Sequence, residues 1–223
     1  MNPDDLHSTL KAIASLRKEG DGMQKLNRPE TAHQKWMEAL GRAESVLPLL
    51  SAENSPADCA EFYGVRAALF KRLGDDQRAL ESYHKGAEIE TKAELGSTYN
   101  RMNEIRAALL LNSTTIQGLE PNLKDIAKVL EKRLNDPKDT EASSDGWLWA
   151  DFGDVCTLLG NVAEAEKYYR AFVRIAGGSE TRITRDTLEL LLKRVTEAND
   201  PDADRIRAGL AALARATSLS TTR

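Results

Sequence analysis

Three histidines, two cysteines and a cluster of acids around a tryptophan pair are the residues from which chemistry could be built in this 223-residue chain. His7, His33 and His84 fall on three separate predicted helices, and none has a second His or Cys at i, i+4. That spacing is what places two metal ligands on one helical face, so no metal site is expected. Cys59 and Cys156 stand far apart without a CxxC spacing, which argues against a disulfide framework or a zinc cluster and for reduced thiols in a cytosolic protein. Neither sits in a nucleophile elbow, and no glycine-rich loop resembles a phosphate cradle. Gly177-Gly178 reads as a helix end and Gly20-Asp-Gly22 as part of a repeat. Asp145, Asp151 and Asp154 gather around Trp147 and Trp149, and Asp151 and Asp154 share a helix face at i, i+3. Such a trio could hold a metal or do acid–base work, but acids in the first turns of a helix are also favoured by the macrodipole alone. No catalytic set and no cofactor site emerge, and a non-enzymatic role is expected.

The elements that position these residues are helical. Hydrophobic residues make up 41% of the chain and aromatics only 5%, while Ala, Leu, Glu, Lys and Arg, the good helix formers, dominate. Lys plus Arg number 31 against 35 Asp plus Glu, a formal net charge of −4. That balance argues against nucleic acid and an anionic membrane as partners. Residues Met1 to Leu10 carry Asp4 and Asp5 and no apolar leader, and the longest apolar run is Ala107 to Leu111, so a cytoplasmic location is expected. Periodicity and caps predict ten helices at 4–26, 28–48, 56–73, 76–90, 97–111, 121–135, 144–159, 161–176, 180–198 and 201–217. Ser55-Pro56 and Asp200-Pro201 place a capping residue before a first-turn proline. The stretch 135–144 reads as a polar surface loop.

Internal repetition decides the architecture. Aligning Ala79 with Ala165 brings Tyr63 onto Trp149, Ala67 onto Gly153, Gly74 onto Gly160 and Tyr83 onto Tyr169. In a helix–turn–helix the small residue lets two helices approach, the glycine makes the turn, and the second small–aromatic pair packs back on the first helix. This spacing resembles the tetratricopeptide repeat (TPR), most closely at Trp149, Phe152, Gly153, Gly160, Ala165 and Tyr169. A third copy at Leu16, Gly20, Met23, Ala32, Trp36 and Ala39 has Asn27 where the turn glycine would stand. The resemblance implies an all-α, TPR-like α-solenoid of about five antiparallel helix hairpins in a right-handed superhelix. It assigns 1–223 to one domain: copies near 13–46, 60–93 and 146–179, an irregular hairpin at 94–145, and capping helices at 180–217. The excess after the first copy is expected in a longer second helix and the 49–55 loop. Within the irregular hairpin, Tyr99-Asn-Arg-Met-Asn103-Glu-Ile and the apolar run after it resemble the TRAFs-binding family, over about 95–195. That family comprises a helical regulatory region of some MAP kinase kinase kinases and bacterial TPR relatives, and Arg101 stands where it has a glycine. This second resemblance implies control of a signalling or effector protein.

TPR arrays present the first helix of each pair to a groove that grips a protein or peptide partner. The resemblance places Arg17, Asp21 and Gln24, then Glu61 and Lys71, then Trp147 and Asp154 on that groove. Lys18, Lys25 and Arg72 add a basic bias early. Trp149 is expected in the core and Trp147, two residues away, outside it. The positions of a chaperone-type carboxylate clamp include Gly64, Ala68 and Ala150, so that clamp is absent. Asn103, among Met102, Ile105 and the leucines, is expected to be a buried structural residue that hydrogen-bonds a neighbouring backbone. Leu188, Leu191, Leu192 and Val195 form an apolar stripe within 180–217 that either covers the last repeat or joins two copies in a homodimer. An adaptor that binds a protein or peptide in its groove is the favoured function. A small-ligand or peptide-sensing regulator is the alternative.

Overall fold

The computed structural model describes residues 3–50 and 55–220, with side chains from Leu6 to Leu219. Asp4, Asp5 and most of the expected 49–55 loop therefore lie outside the described side chains. The described chain is all-helical, with ten α-helices and three single 3₁₀ turns. It divides into two compact units, Met1–Ala107 and Ala108–Arg223.

The first unit holds α1 (Pro3–Lys25), α2 (Pro29–Val46), α3 (Pro56–Arg72), α4 (Asp76–Lys92) and most of α5 (Tyr99–Leu110). Its helices start where side chains or proline settle the orphan amides. Pro29 and Pro56 open α2 and α3, and the Ser55 hydroxyl accepts from the Asp58 amide at 3.1 Å. The Asp75 carboxylate does the same for the Arg78 amide at 3.0 Å, starting α4. The α1–α2 and α3–α4 pairs are the closely packed hairpins. Leu6, Leu10 and Ile13 of α1 meet Trp36, Ala39 and Ala43 of α2 and Phe62, Leu69, Phe70 and Tyr83 of the second hairpin in one apolar cluster. Each large side chain buried there contributes roughly 1.5–3 kcal/mol.

The second unit holds α6 (Glu120–Asn135), α7 (Gly146–Leu158), α8 (Val162–Ile175), α9 (Gly178–Glu197) and α10 (Ala203–Ser220). The Asp145 carboxylate caps α7, accepting from the Trp147 and Leu148 amides at 3.1 and 3.2 Å. The α7–α8 hairpin is closed by α10, which lies against both helices. Arg205 donates to Glu120 and to the Leu158 carbonyl, each at 3.0 Å, tying α10 to the ends of α6 and α7.

The repeat residues occupy matching places in the hairpins. A Cβ on Gly20 would overlap the Trp36 indole, and one on Gly153 would overlap the Tyr169 ring, so a missing side chain lets each aromatic lie on the first helix. Ala67 and Tyr83 take these places in the α3–α4 hairpin and are both buried, as are Ala32, Ala79 and Ala165. Gly74 and Gly160 turn with φ of +79°, and Asn27 takes the same left-handed conformation at φ 57°. The outer aromatics differ from expectation: Trp149 is half-buried at the rim, not in the core, with its Nε1 donating to the Ser143 carbonyl at 3.1 Å. Tyr63 is also only half-buried, packed on the edge of the first cluster.

Of the two roles left open for the apolar stripe within 180–217, burial supports the first. Leu188, Leu191 and Val195 are buried within the chain and Leu192 is half-buried, so these residues cover the chain's own core.

Candidate functional site

In the first unit, α1 and α3 carry the side chains expected on a binding face, Glu61 and Lys71 lying near opposite ends of α3. Asp21 does not serve as a free acid there. Arg72 grips its carboxylate with both arms, Nε at 2.6 Å and Nη2 at 2.8 Å, and the Trp36 indole N–H donates to it at 3.1 Å. Arg72 spends its remaining arm on the Ala68 carbonyl. Burial pushes the Asp21 carboxyl up, but the bonds and charge of Arg72 outweigh this and hold it below its ordinary range. The pair therefore staples the first hairpin to the second, a correction to the groove role expected of Asp21.

The neighbouring cations are not used this way. The Arg17 Nε is buried and meets no hydrogen-bond partner among the described residues. Lys71 is open to solvent, yet the surrounding protein and the charges of Arg106 and Arg72 hold its ammonium below the usual lysine range. Gln24 and Glu61 are exposed, as are Lys18 and Lys25. Tyr99 joins the same face, 45% exposed, its ring edge-on to Tyr83 at 6.2 Å. Burial raises the Tyr83 hydroxyl well above the usual tyrosine range, so it stays protonated. The face is thus cationic with an aromatic flank.

In the second unit, Trp147 is 49% exposed, resting against Phe172 at a centroid distance of 6.3 Å. Asp154 is the opposite case. It is buried, and the Tyr169 hydroxyl donates to it at 2.8 Å while lying 3.1 Å from the Thr157 hydroxyl. Asp154 is a core hydrogen-bonding group, not a groove residue. With Asp145 used as a cap and Asp154 inside, Asp145, Asp151 and Asp154 do not converge on one site. No group of three or more His, Cys, Asp or Glu poised to hold a metal occurs among the described residues. Burial pushes the Cys156 thiol up to about 12 and raises Cys59 as well, so neither is an activated nucleophile.

The structural asparagine is also reassigned. Asn103 is only half-buried, and its Nδ2 donates to the Tyr99 carbonyl one turn back in its own helix at 2.8 Å. Asn100 is the buried one. Its Nδ2 donates to the Ala60 carbonyl at 2.9 Å and to Glu90 at 3.0 Å, and its amide donates to Glu90 at 3.1 Å. Glu90, itself buried, also accepts from the Ser97 hydroxyl and the Arg101 amide, so one carboxylate caps α5. Gly64 and Gly86 leave room for Asn100, since a Cβ on either would collide with it. Those two glycines were the available sequence signal. Gly64, Ala68 and Ala150 are all buried and present no side chain for anion binding.

No family model matches the chain, and no curated protein matches it. Among solved structures it is similar to BtubC (BKLC) from P. vanneervenii, with 16% identity and a TM-score of 0.45 over 97% of this chain and 90% of that one. It is also similar to a Podosopora anserina putative kinesin light chain with nearly identical TPR-like repeats, with 15% identity and a TM-score of 0.47 over 96% and 98%. A point variant of that protein gives 13% identity and a TM-score of 0.48 over the same shares. On their own geometry, the hairpins of this chain are TPR-like. No helix among the described residues is long and apolar enough to cross a membrane.

Proposed function

We propose that this chain is a non-enzymatic adaptor that holds a partner protein or peptide against the first helices of its hairpins, and that it thereby controls a signalling or effector protein. The observation that supports this reading is an exposed cation the fold leaves without an ion pair, and a buried donor it leaves without a hydrogen bond. Lys71 is exposed, with Arg106, Asp76 and Arg72 acting on its charge but no carboxylate at ion-pair distance among the described residues. On α1 Arg17, whose charge acts on Asp21, keeps a buried Nε without a hydrogen-bond partner among the described residues. A buried donor left unbonded costs about 1–3 kcal/mol, a cost that a bound carbonyl or carboxylate would remove. Gln24 on α1 and Glu61 on α3 are exposed as well, Tyr99 is exposed at the start of α5, and Trp147 supplies an exposed aromatic anchor in the second unit. An extended peptide that donates and accepts along such a face needs no catalytic group.

The test is affinity capture from the native host with two proteins. One is wild type; the other carries Gln24→Ala, Glu61→Ala, Lys71→Glu and Trp147→Ala, all at exposed positions. A partner held by wild type and lost by the variant, with unchanged circular dichroism, is the expected result. Equal retention by both would remove these faces from the reading. Asp21 and Asp154 are left intact because their loss would disturb the fold.

A further inference from the structure

A cavity of about 820 Å³ opens between the C-terminal end of α8, the first half of α9 and the second half of α10, and the adaptor reading makes no use of it. It arises because α10 packs along α8 and α7, while α9 departs from α8 after the Gly177 turn. Its size lies within the roughly 300–1,000 Å³ that small-molecule sites occupy.

The two walls differ in chemistry. Val173 from α8 and Leu210, Leu213 and Ala214 from α10 make an aliphatic wall, with no aromatic ring in the lining. Across from them α9 contributes Arg182 and Arg185, which share a helical face at i, i+3. Arg182 makes no ion pair among the described residues. Arg185 reaches Asp186 and Glu189 only at 3.5 and 3.7 Å, longer than a formed charge-assisted hydrogen bond. Both guanidiniums are exposed at the mouth, and Glu189 is the acid in the lining.

We propose that this cavity binds a small amphiphilic anion: an aliphatic chain lying on Val173, Leu210 and Leu213, with a terminal carboxylate held by Arg182 and Arg185. The planar guanidinium matches a carboxylate with two parallel N–H donors, which a hydroxyl cannot reproduce and an ammonium repels. A lining of branched aliphatic carbons without rings suits an acyl chain. The site is independent of the cationic face of the first unit, so either can fail alone.

Decanoate, 1-decanol and decylammonium, each below its solubility or micellar limit, test this by titration calorimetry and thermal shift on the full chain. Saturable one-to-one binding of decanoate with a raised Tm is expected, with 1-decanol at least about tenfold weaker and decylammonium inactive. The double variant Arg182→Ala/Arg185→Ala should lose about tenfold in decanoate affinity and retain its circular dichroism. Ala214→Phe, which fills the apolar wall, should abolish binding. Equal affinity for decanoate and 1-decanol, an unchanged affinity in the arginine variant, or no decanoate binding would overturn the proposal. Binding of an acidic amphipathic dodecapeptide in place of decanoate would overturn it in favour of a peptide groove.

Discussion

At the scale of single residues, a polar side chain acts structurally or functionally according to its partners, and the partners are distant in sequence. Asn100 and Asn103 lie three apart on one helix, yet only Asn100 reaches another helix, through the Ala60 carbonyl and Glu90. Asn100→Ala should therefore lower stability by about 1–3 kcal/mol, because Glu90 and Ala60 lose buried partners. Asn103→Ala should change it by less than about 0.5 kcal/mol. Urea denaturation of the two variants compares them directly, and an equal loss would refute the assignment. Asp21 gives a pH signature. Its carboxyl is held below the ordinary 3.8, so the Arg72 tie contributes stability above that pH and loses it as pH falls through the folded value. The Tm difference between wild type and Asp21→Asn should be constant from neutral pH to about pH 5 and shrink below about pH 4. A difference that grows on acidification would contradict the sign.

At the scale of elements, helix ends carry most of what was legible. The helices α1, α3, α4, α5, α7 and α9 end with one residue in the left-handed region: Asn27, Gly74, Glu94, Asn112, Gly160 and Asn199. In each the following amide returns five residues, as from Arg28 to Met23, Asp75 to Phe70 and Asn161 to Cys156. Gly74 and Gly160 announced this in the sequence, and Asn is the usual substitute because its short polar side chain tolerates that conformation. Glu94 did not, since nothing in its chemistry favours a positive φ. Two glycines separate the causes. A Cβ on Gly74 would meet nothing within 4 Å, so Gly74→Ala should cost only the backbone strain, about 1–2 kcal/mol. Gly153 has ordinary helical backbone, and Gly153→Ala should cost about 1–3 kcal/mol by forcing the Tyr169 ring off its seat. Gly74→Asn should recover part of the first loss, whereas no small residue larger than glycine should rescue the second. Equal rescue at both sites would mean that the two glycines share one role.

At the scale of the whole molecule, periodicity made the helices, their order and the three TPR-like hairpins readable, because a 3.6-residue stripe records which side of a helix is buried. It did not record what the exposed side meets. Asp21 looked like a surface acid because Arg72, its partner, is far away in sequence; Asp154 looked the same because Tyr169 reaches it only after the hairpin closes. What remains exposed after those pairings is a smaller set, divided between the units: Gln24, Glu61 and Lys71 in the first, Trp147 in the second. This division permits a sharper test than removing all four together. The first-unit variant Gln24→Ala/Glu61→Ala/Lys71→Glu removes one charge and reverses another, so its effect on partner binding should be largest at low salt and fade as salt screens the face. Trp147→Ala removes apolar contact area, so its effect should persist at high salt and appear mainly as faster dissociation. The charge variant should unfold within about 0.5 kcal/mol of wild type per substitution, since exposed side chains away from the core contribute little. Surface plasmon resonance with the captured partner at two salt concentrations reads all of this. Salt-independent loss in the charge variant would mean that the cations of the first unit do not face the partner.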